Sequence, residues 1–125
     1  MIRVVAAVIE KENRYLVCKR PADKRHGGLW EFPGGKVCDG ESDLDALRRE
    51  LSEELNVLVI AADSGLFKVP DPGSDFLIVF RAVTIFGKPQ ALEHSALRWA
   101  SARELISLRM APGDEVFVRE YLLRT

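Results

Sequence analysis

The chain has no apolar run close to the roughly 20 residues that a membrane-spanning helix needs. Its opening stretch, Val4-Val5-Ala6-Ala7-Val8-Ile9, is short for the apolar part of a signal peptide. Glu10-Lys11-Glu12-Asn13 follows it without a cleavage-like site, so the stretch reads as a first strand. Excess charge of either sign is also missing. Eighteen basic and nineteen acidic residues leave a net charge of -1, which argues against adhesion to nucleic-acid polymers or membranes by bulk charge. Cysteine is scarce. Cys18 and Cys38 are not spaced as a metal-type pair, and reduced thiols in a cytoplasmic protein are expected. The two histidines, His26 and His94, are isolated and read as surface or loop residues. Repeats, linkers and low-complexity segments are absent. The 125 residues are therefore expected to form one domain, 1–125, around one core.

What the chain does have is concentrated in Gly35 to Val57, GKVCDGESDLDALRRELSEELNV. Glu50, Glu53 and Glu54 stand at i, i+3 and i+4, on one side of a helix. Leu44, Leu47, Leu51 and Leu55 form a separate apolar stripe. At 3.6 residues per turn the two stripes are centred on the order of 100° apart. Such a helix can lie on a core while its acids face a cleft. Ser42 is the candidate N-cap, with Asp43 and Asp45 in the first turn, and Asn56 suits a left-handed stop. On spacing alone two readings stay open. One is a solvated acidic face paired with Arg48 and Arg49. The other is a site for a hard divalent cation, which would relieve the repulsion between Glu50 and Glu54.

The same residues carry a resemblance. Gly35, Glu41 and Arg49-Glu50-Leu51-Ser52-Glu53-Glu54-Leu55-Asn56-Val57 resemble the Nudix box, with Asn56 where the pattern has Gly. Asn tolerates the left-handed conformation better than most residues. Trp30-Glu31-Phe32-Pro33-Gly34-Gly35-Lys36 resembles the entry to the box in MutT-type enzymes and bacterial CTP pyrophosphohydrolases. Glu93-His94-Ser95-Ala96-Leu97-Arg98-Trp99 and Ala111-Pro112-Gly113-Asp114 resemble their tail.

The resemblance implies a Nudix fold, α/β (α+β), with a mixed sheet sandwiched between helices. It implies a nucleoside triphosphate pyrophosphohydrolase that uses Mg²⁺, with Mn²⁺ as an alternative. The substrate would be a pyrimidine or an oxidised purine triphosphate. The expected metal site is Gly35, through its backbone carbonyl, with Glu50, Glu53, Glu54 and Glu93. Arg49 would orient the glutamates and Glu41 would hold the loop to the helix. One glutamate or Glu93 would take the proton of the attacking water. Arg20 and Lys36 would meet the polyphosphate, Phe32 and Phe76 would border the base, and Asp114 would read its edge. Asp114 has a structural alternative, capping the last helix. Lys24 and Arg25 are expected to be solvated. The partner is a small nucleotide, and a monomer or homodimer is expected. Alternatives are a non-catalytic nucleotide-binding module and a Nudix hydrolase of another nucleoside diphosphate derivative such as ADP-ribose.

Pattern and turn residues predict the remaining elements. Strands are expected at Ile2 to Ile9, Tyr15 to Lys19 as its hairpin partner, Leu29 to Phe32, Val57 to Ala62, Leu66 to Val69, Phe76 to Phe86 and Leu97 to Ala100. Loops are expected at Glu10 to Arg14, Pro21 to Gly28, Pro33 to Gly35, Asp71 to Ser74 and Ala111 to Asp114. The central helix should run from Ser42 to Leu55. A capping box at Ser101 to Glu104 should open a short helix to about Leu108, and a terminal helix should reach about Leu123.

Overall fold

Strand β1 (Ile2–Val8) alternates its side chains between two cores, as a central strand with a period of two must. Val5 and Ala7 pack with Leu47, Leu51 and Leu55 of helix α1 (Asp43–Leu55). Ala6 and Val8 pack with Phe80 and Phe117 on the other face. The computed structural model describes residues 1–125. Four further strands precede α1: β2 (Glu10–Lys11), β3 (Arg14–Lys19), β4 (Trp30–Glu31) and β5 (Gly34–Lys36). After α1 come β6 (Leu58–Pro70), β7 (Phe76–Phe86) and β8 (Ala96–Ala100). Helices α2 (Ala102–Ser107) and α3 (Pro112–Glu120) and a 3₁₀ turn, Leu122–Arg124, finish the chain.

Two sheets result. The first has the order β5-β1-β7-β6 and is mixed, because β1 runs parallel to β7 and antiparallel to β5. In the second, β3 pairs with β2, β4 and β8, all antiparallel. Helix α1 lies on one side, and α3 on the other, where the Phe117 ring stacks on Phe80 at 4.1 Å. This is the expected mixed sheet between helices.

The ends of α1 follow from local chemistry. The Ser42 hydroxyl accepts from the Asp45 amide, and Asn56 sits left-handed at φ 56° with its amide on Ser52 O. The next carbonyls are covered from the segment after β7. Leu92 N–H donates to Glu54 O and Gln90 N–H to Leu55 O. Asp43 anchors the first turn to the sheet, receiving Arg3 at 2.7 Å and Arg81 at 2.6 Å. These guanidiniums hold its carboxyl down at about 2, with the Arg3 hydrogen bonds the larger cause.

Several expectations need correction. The partner of β3 is the short β2, not β1, because the chain steps from one sheet to the other near Ile9. Pro33 to Gly35 is not simply a loop, since Gly34 and Gly35 belong to β5 and pair with β1. The strands expected at Val57 to Ala62 and Leu66 to Val69 are one strand, β6, bent by register shifts around Asp63 to Gly65. Ala111 to Asp114 contains the first turn of α3, with Pro112 at its opening position, where its missing N–H costs nothing. The 3₁₀ turn replaces the last turn of the terminal helix.

Candidate active site

The site is built where β5 meets the C-terminal half of α1. Gly35 is a position with no room for a side chain, because a Cβ there would lie 2.4 to 2.7 Å from the Glu50 carboxylate. Gly34, at φ +154°, brings its backbone against the Val5 carbonyl, and a Cβ would lie 1.9 Å from that oxygen. Gly34 thus lets β5 lie close against β1, and Gly35 lets it press onto the acidic face of α1.

Arg49 ties this corner together. Its Nε donates to Glu41 Oε2 at 2.8 Å, Nη1 to Glu50 Oε1 at 2.8 Å and Nη2 to Lys36 O at 3.0 Å. Glu41 Oε1 in turn accepts from the Cys38 amide at 2.9 Å. One guanidinium fork thus joins the loop, β5 and the helix, a task its planar geometry suits. Hydrogen bonding to Arg49 and then to the Cys38 amide holds the Glu41 carboxyl down at about 2.

Glu54 lies one helical turn from Glu50 and is buried, only 4% exposed. Burial pushes its carboxyl well up, Glu50 and Glu31 push it further, and the Gly34 amide opposes them. Two acids one turn apart, one of them buried, oppose each other's charge, and a cation between them would relieve that opposition. The donors at this corner are all hard oxygens, which fits a divalent ion of the Mg²⁺ or Mn²⁺ kind.

Not every expected ligand joins them. Glu53 is exposed and makes no hydrogen bond or ion pair. Glu93 is also exposed, on the wall of a cavity of about 190 Å³ that it shares with Arg20, Lys24, Glu31, Glu54 and His94. No group of three His, Cys, Asp or Glu side chains closes into a cage for a metal ion.

A second cavity, of about 270 Å³, adjoins the first through Arg20, Glu31 and Gly34, which line both. That volume is near the lower end of ligand pockets. Phe32, Phe76 and Ile78 supply its apolar walls, and Asp71, Asp114, His26, Arg25 and Lys36 its polar ones. Phe32 is also core, packed edge-on to Phe80 and Phe117. Lys36 holds its ammonium 5.3 Å from the Phe76 ring centre. Asp114 is buried in the first turn of α3 and accepts the Phe32 amide at 2.8 Å. The N-cap of α3 is Ala111, so Asp114 does not cap the helix. Burial drives its carboxyl well above the usual range, helped by Glu31 and opposed by the Phe32 amide. Lys24 and Arg25, expected in solvent, are exposed but stand at the two cavities.

Three residues were missed. Glu31 accepts from Arg20 Nη1 at 3.2 Å on both oxygens and lies 3.0 Å from His94 Nε2. His94 lies in the loop before β8, as one of the two expected readings has it, but its ring is only 7% exposed, so it is not a surface side chain. Asp71 lines the larger cavity from the turn after β6. Glu31 was within the box-entry segment and Asp71 within a recognised turn, but neither has a local pattern that marks its role.

A model of the NUDIX domain matches residues 1–121. The chain belongs to the Nudix family. It is 39% identical over 116 residues to the CTP pyrophosphohydrolase of Escherichia coli, covering 91% of this chain and 86% of the relative. Over 57 residues, 45% of this chain and 51% of the relative, it is 44% identical to the 8-oxo-dGTP diphosphatase of Proteus vulgaris. The solution structure of the E. coli ORF135 protein superposes with a TM-score of 0.83 at 37% identity, covering 98% of this chain and 89% of that one. The chain is thus a Nudix hydrolase, of a family that acts on small nucleotide substrates and generally needs a divalent metal. No helix is long and apolar enough to cross a membrane.

Proposed function

We propose that this Nudix hydrolase, one domain over residues 1–125, cleaves nucleoside triphosphates to the monophosphate and pyrophosphate with Mg²⁺, in the cytoplasm. The observation that carries the reading is the pair of adjoining cavities. An acidic end holds Glu54 and Glu93, an apolar end holds Phe32, Phe76 and Ile78, and Arg20 lines both. A triphosphate chain at the acidic end places its base between the aromatic walls.

Gly35, Glu50 and Glu54 would hold the metal ion, with Glu53 and Glu93 open to solvent beside them. The ion would offset charge on the phosphates and the charge that develops in the transition state. Arg49 fixes the Glu50 carboxylate and so presets that ligand. Arg20 and Lys36 meet phosphate oxygens, Arg with its fork and Lys as a point charge. Glu54 or Glu93 accepts a proton from the attacking water, both being on the wall where that water must sit. Asp114 faces the base edge while its Oδ2 keeps Phe32 in place. A buried carboxyl in a base pocket discriminates strongly, because a mismatched edge leaves it unpaired. Cytidine-type and oxidised guanine triphosphates are the candidate substrates, and the relatives' names support both.

The test is a hydrolysis screen of ordinary, methylated and oxidised nucleotides, with phosphate products identified and a chelator control. Monophosphate and pyrophosphate, formed only with divalent metal, support the reading. Release of single phosphates, or turnover unchanged in excess chelator, defeats it.

A further inference from the structure

Where the two cavities meet, one imidazole has no assigned part. His94 precedes β8, and its Nε2 lies 3.0 Å from Glu31 Oε2 and 3.9 Å from Glu54 Oε1. Only the first is a hydrogen-bond distance. A carboxylate oxygen accepts, so Nε2 carries the hydrogen and donates. The other nitrogen, Nδ1, is buried with no partner. The ring therefore has one polar engagement, and it is with Glu31.

Glu31 has a second partner on its far side. Arg20 Nη1 donates to both of its oxygens at 3.2 Å. One carboxylate thus links an imidazole to the guanidinium that lines both cavities. The backbone beside His94 is held as well. Ser95 N–H and Oγ–H both donate to Lys19 O, and Leu92 N–H donates to Glu54 O. The ring is therefore delivered to Glu31 by a segment stitched to β3 on one side and to α1 on the other. Carboxylates at a polyphosphate site oppose the substrate's charge unless donors engage them. Two donors on Glu31 limit that opposition, and the Glu31 pair joins the bond from Arg20 Nε to Arg25 O in holding a long side chain in one geometry, which lowers the entropy lost on binding.

We propose that His94 is a positioning residue: through Nε2 it fixes the Glu31 carboxylate, which in turn holds the Arg20 guanidinium ready for the substrate's phosphates. The proposal rests on the triphosphate reading of the site. It predicts an effect on binding rather than on the chemical step, since the chain of contacts ends at Arg20 and not at the reacting atoms.

The experiment compares His94→Gln with His94→Asn. The Gln amide nitrogen has about the reach of Nε2, and the Asn nitrogen only that of Nδ1, short of Glu31. His94→Asn should raise KM about tenfold with kcat within about twofold of wild type, while His94→Gln stays within about threefold on both. Equilibrium binding of a triphosphate with a non-hydrolysable α,β-methylene bridge should weaken by the same factor in His94→Asn. On a Glu31→Gln background, His94→Asn should add no further loss of binding. Equal behaviour of the two His94 variants, a fall in kcat with KM unmoved, or full additivity with Glu31→Gln would each overturn the proposal. If wild type cleaves no triphosphate, the functional reading falls, while the analogue-binding series still decides the role of His94.

Discussion

Glu54 and Asp114 are the two charged residues that the fold buries, and they stand at the two ends of the joined cavities. Burial is the leading cause of a raised carboxyl pKa at both. Glu31 adds to the rise at both, and their other neighbours differ. Asp114 has a fixed donor, the Phe32 amide at 2.8 Å, and a structural task in keeping that residue in place. Glu54 has like charges beside it, Glu50 and Glu31, while Arg49 is committed to Glu41 and Glu50. A buried carboxyl with one good donor is tolerable within the protein alone. A pair of acids with no cation of its own between them is a costly arrangement, one that the proposed metal ion would relieve.

Removing Glu54 should have the largest effect. Glu54→Gln is expected to lower kcat/KM at least about 100-fold, or about 2.7 kcal/mol of barrier. Its melting temperature should not fall, because the substitution removes a buried charge and keeps the shape. Activity within threefold of wild type would place the metal elsewhere. Arg49→Lys comes next, since lysine cannot reproduce the fork between Glu41 and Glu50. A loss of about tenfold in rate at fixed Mg²⁺ is expected, partly recovered as Mg²⁺ is raised. A metal titration of both proteins measures this, and superimposable curves would remove Arg49 from the site.

Asp114→Asn keeps an acceptor for the Phe32 amide and changes what faces the base. The ratio of kcat/KM for cytidine and oxidised guanosine triphosphates should shift about tenfold, with the metal requirement unmoved. An unmoved ratio would leave Asp114 as a structural residue. The same variant tests stability. An acid whose folded pKa is raised contributes most below its unfolded value, and stability falls as pH rises toward the folded value. Wild type should therefore lose melting temperature as pH rises above about 4, and Asp114→Asn should flatten that slope.

The smallest effect is expected at Asp43, outside both cavities. Its folded pKa of about 2 lies below the unfolded value. Its contribution is therefore present above about pH 4 and lost as pH falls toward 2. Asp43→Asn should be less stable at neutral pH and less sensitive across that window, as acid melts would record.

What was legible in the sequence was mostly local. The leucine spacing, Ser42 and Asn56 define α1 within one residue, and the capping box at Ser101 opens α2 as expected. Gly34 and Gly35 read as loop because glycine usually punctuates, and their place in a strand depends on pairing with β1, which is distant in sequence. Pro112-Gly113 read as loop for the same reason, although proline also opens helices. The box acids came through a resemblance whose spacing is local. Glu31 and His94 lie 63 residues apart, and only the docking of β4 beside the segment before β8 brings them together. Nothing in the neighbourhood of either residue could announce that meeting.

The most direct test of the central claim is the melting temperature of wild type and Glu54→Gln with and without Mg²⁺, in the absence of nucleotide. A ligand that binds the folded state alone raises stability by mass action. Mg²⁺ should raise the melting temperature of the wild type and leave that of Glu54→Gln nearly unchanged. An equal rise in both proteins would contradict the account, because the buried carboxyl would then not be what holds the ion.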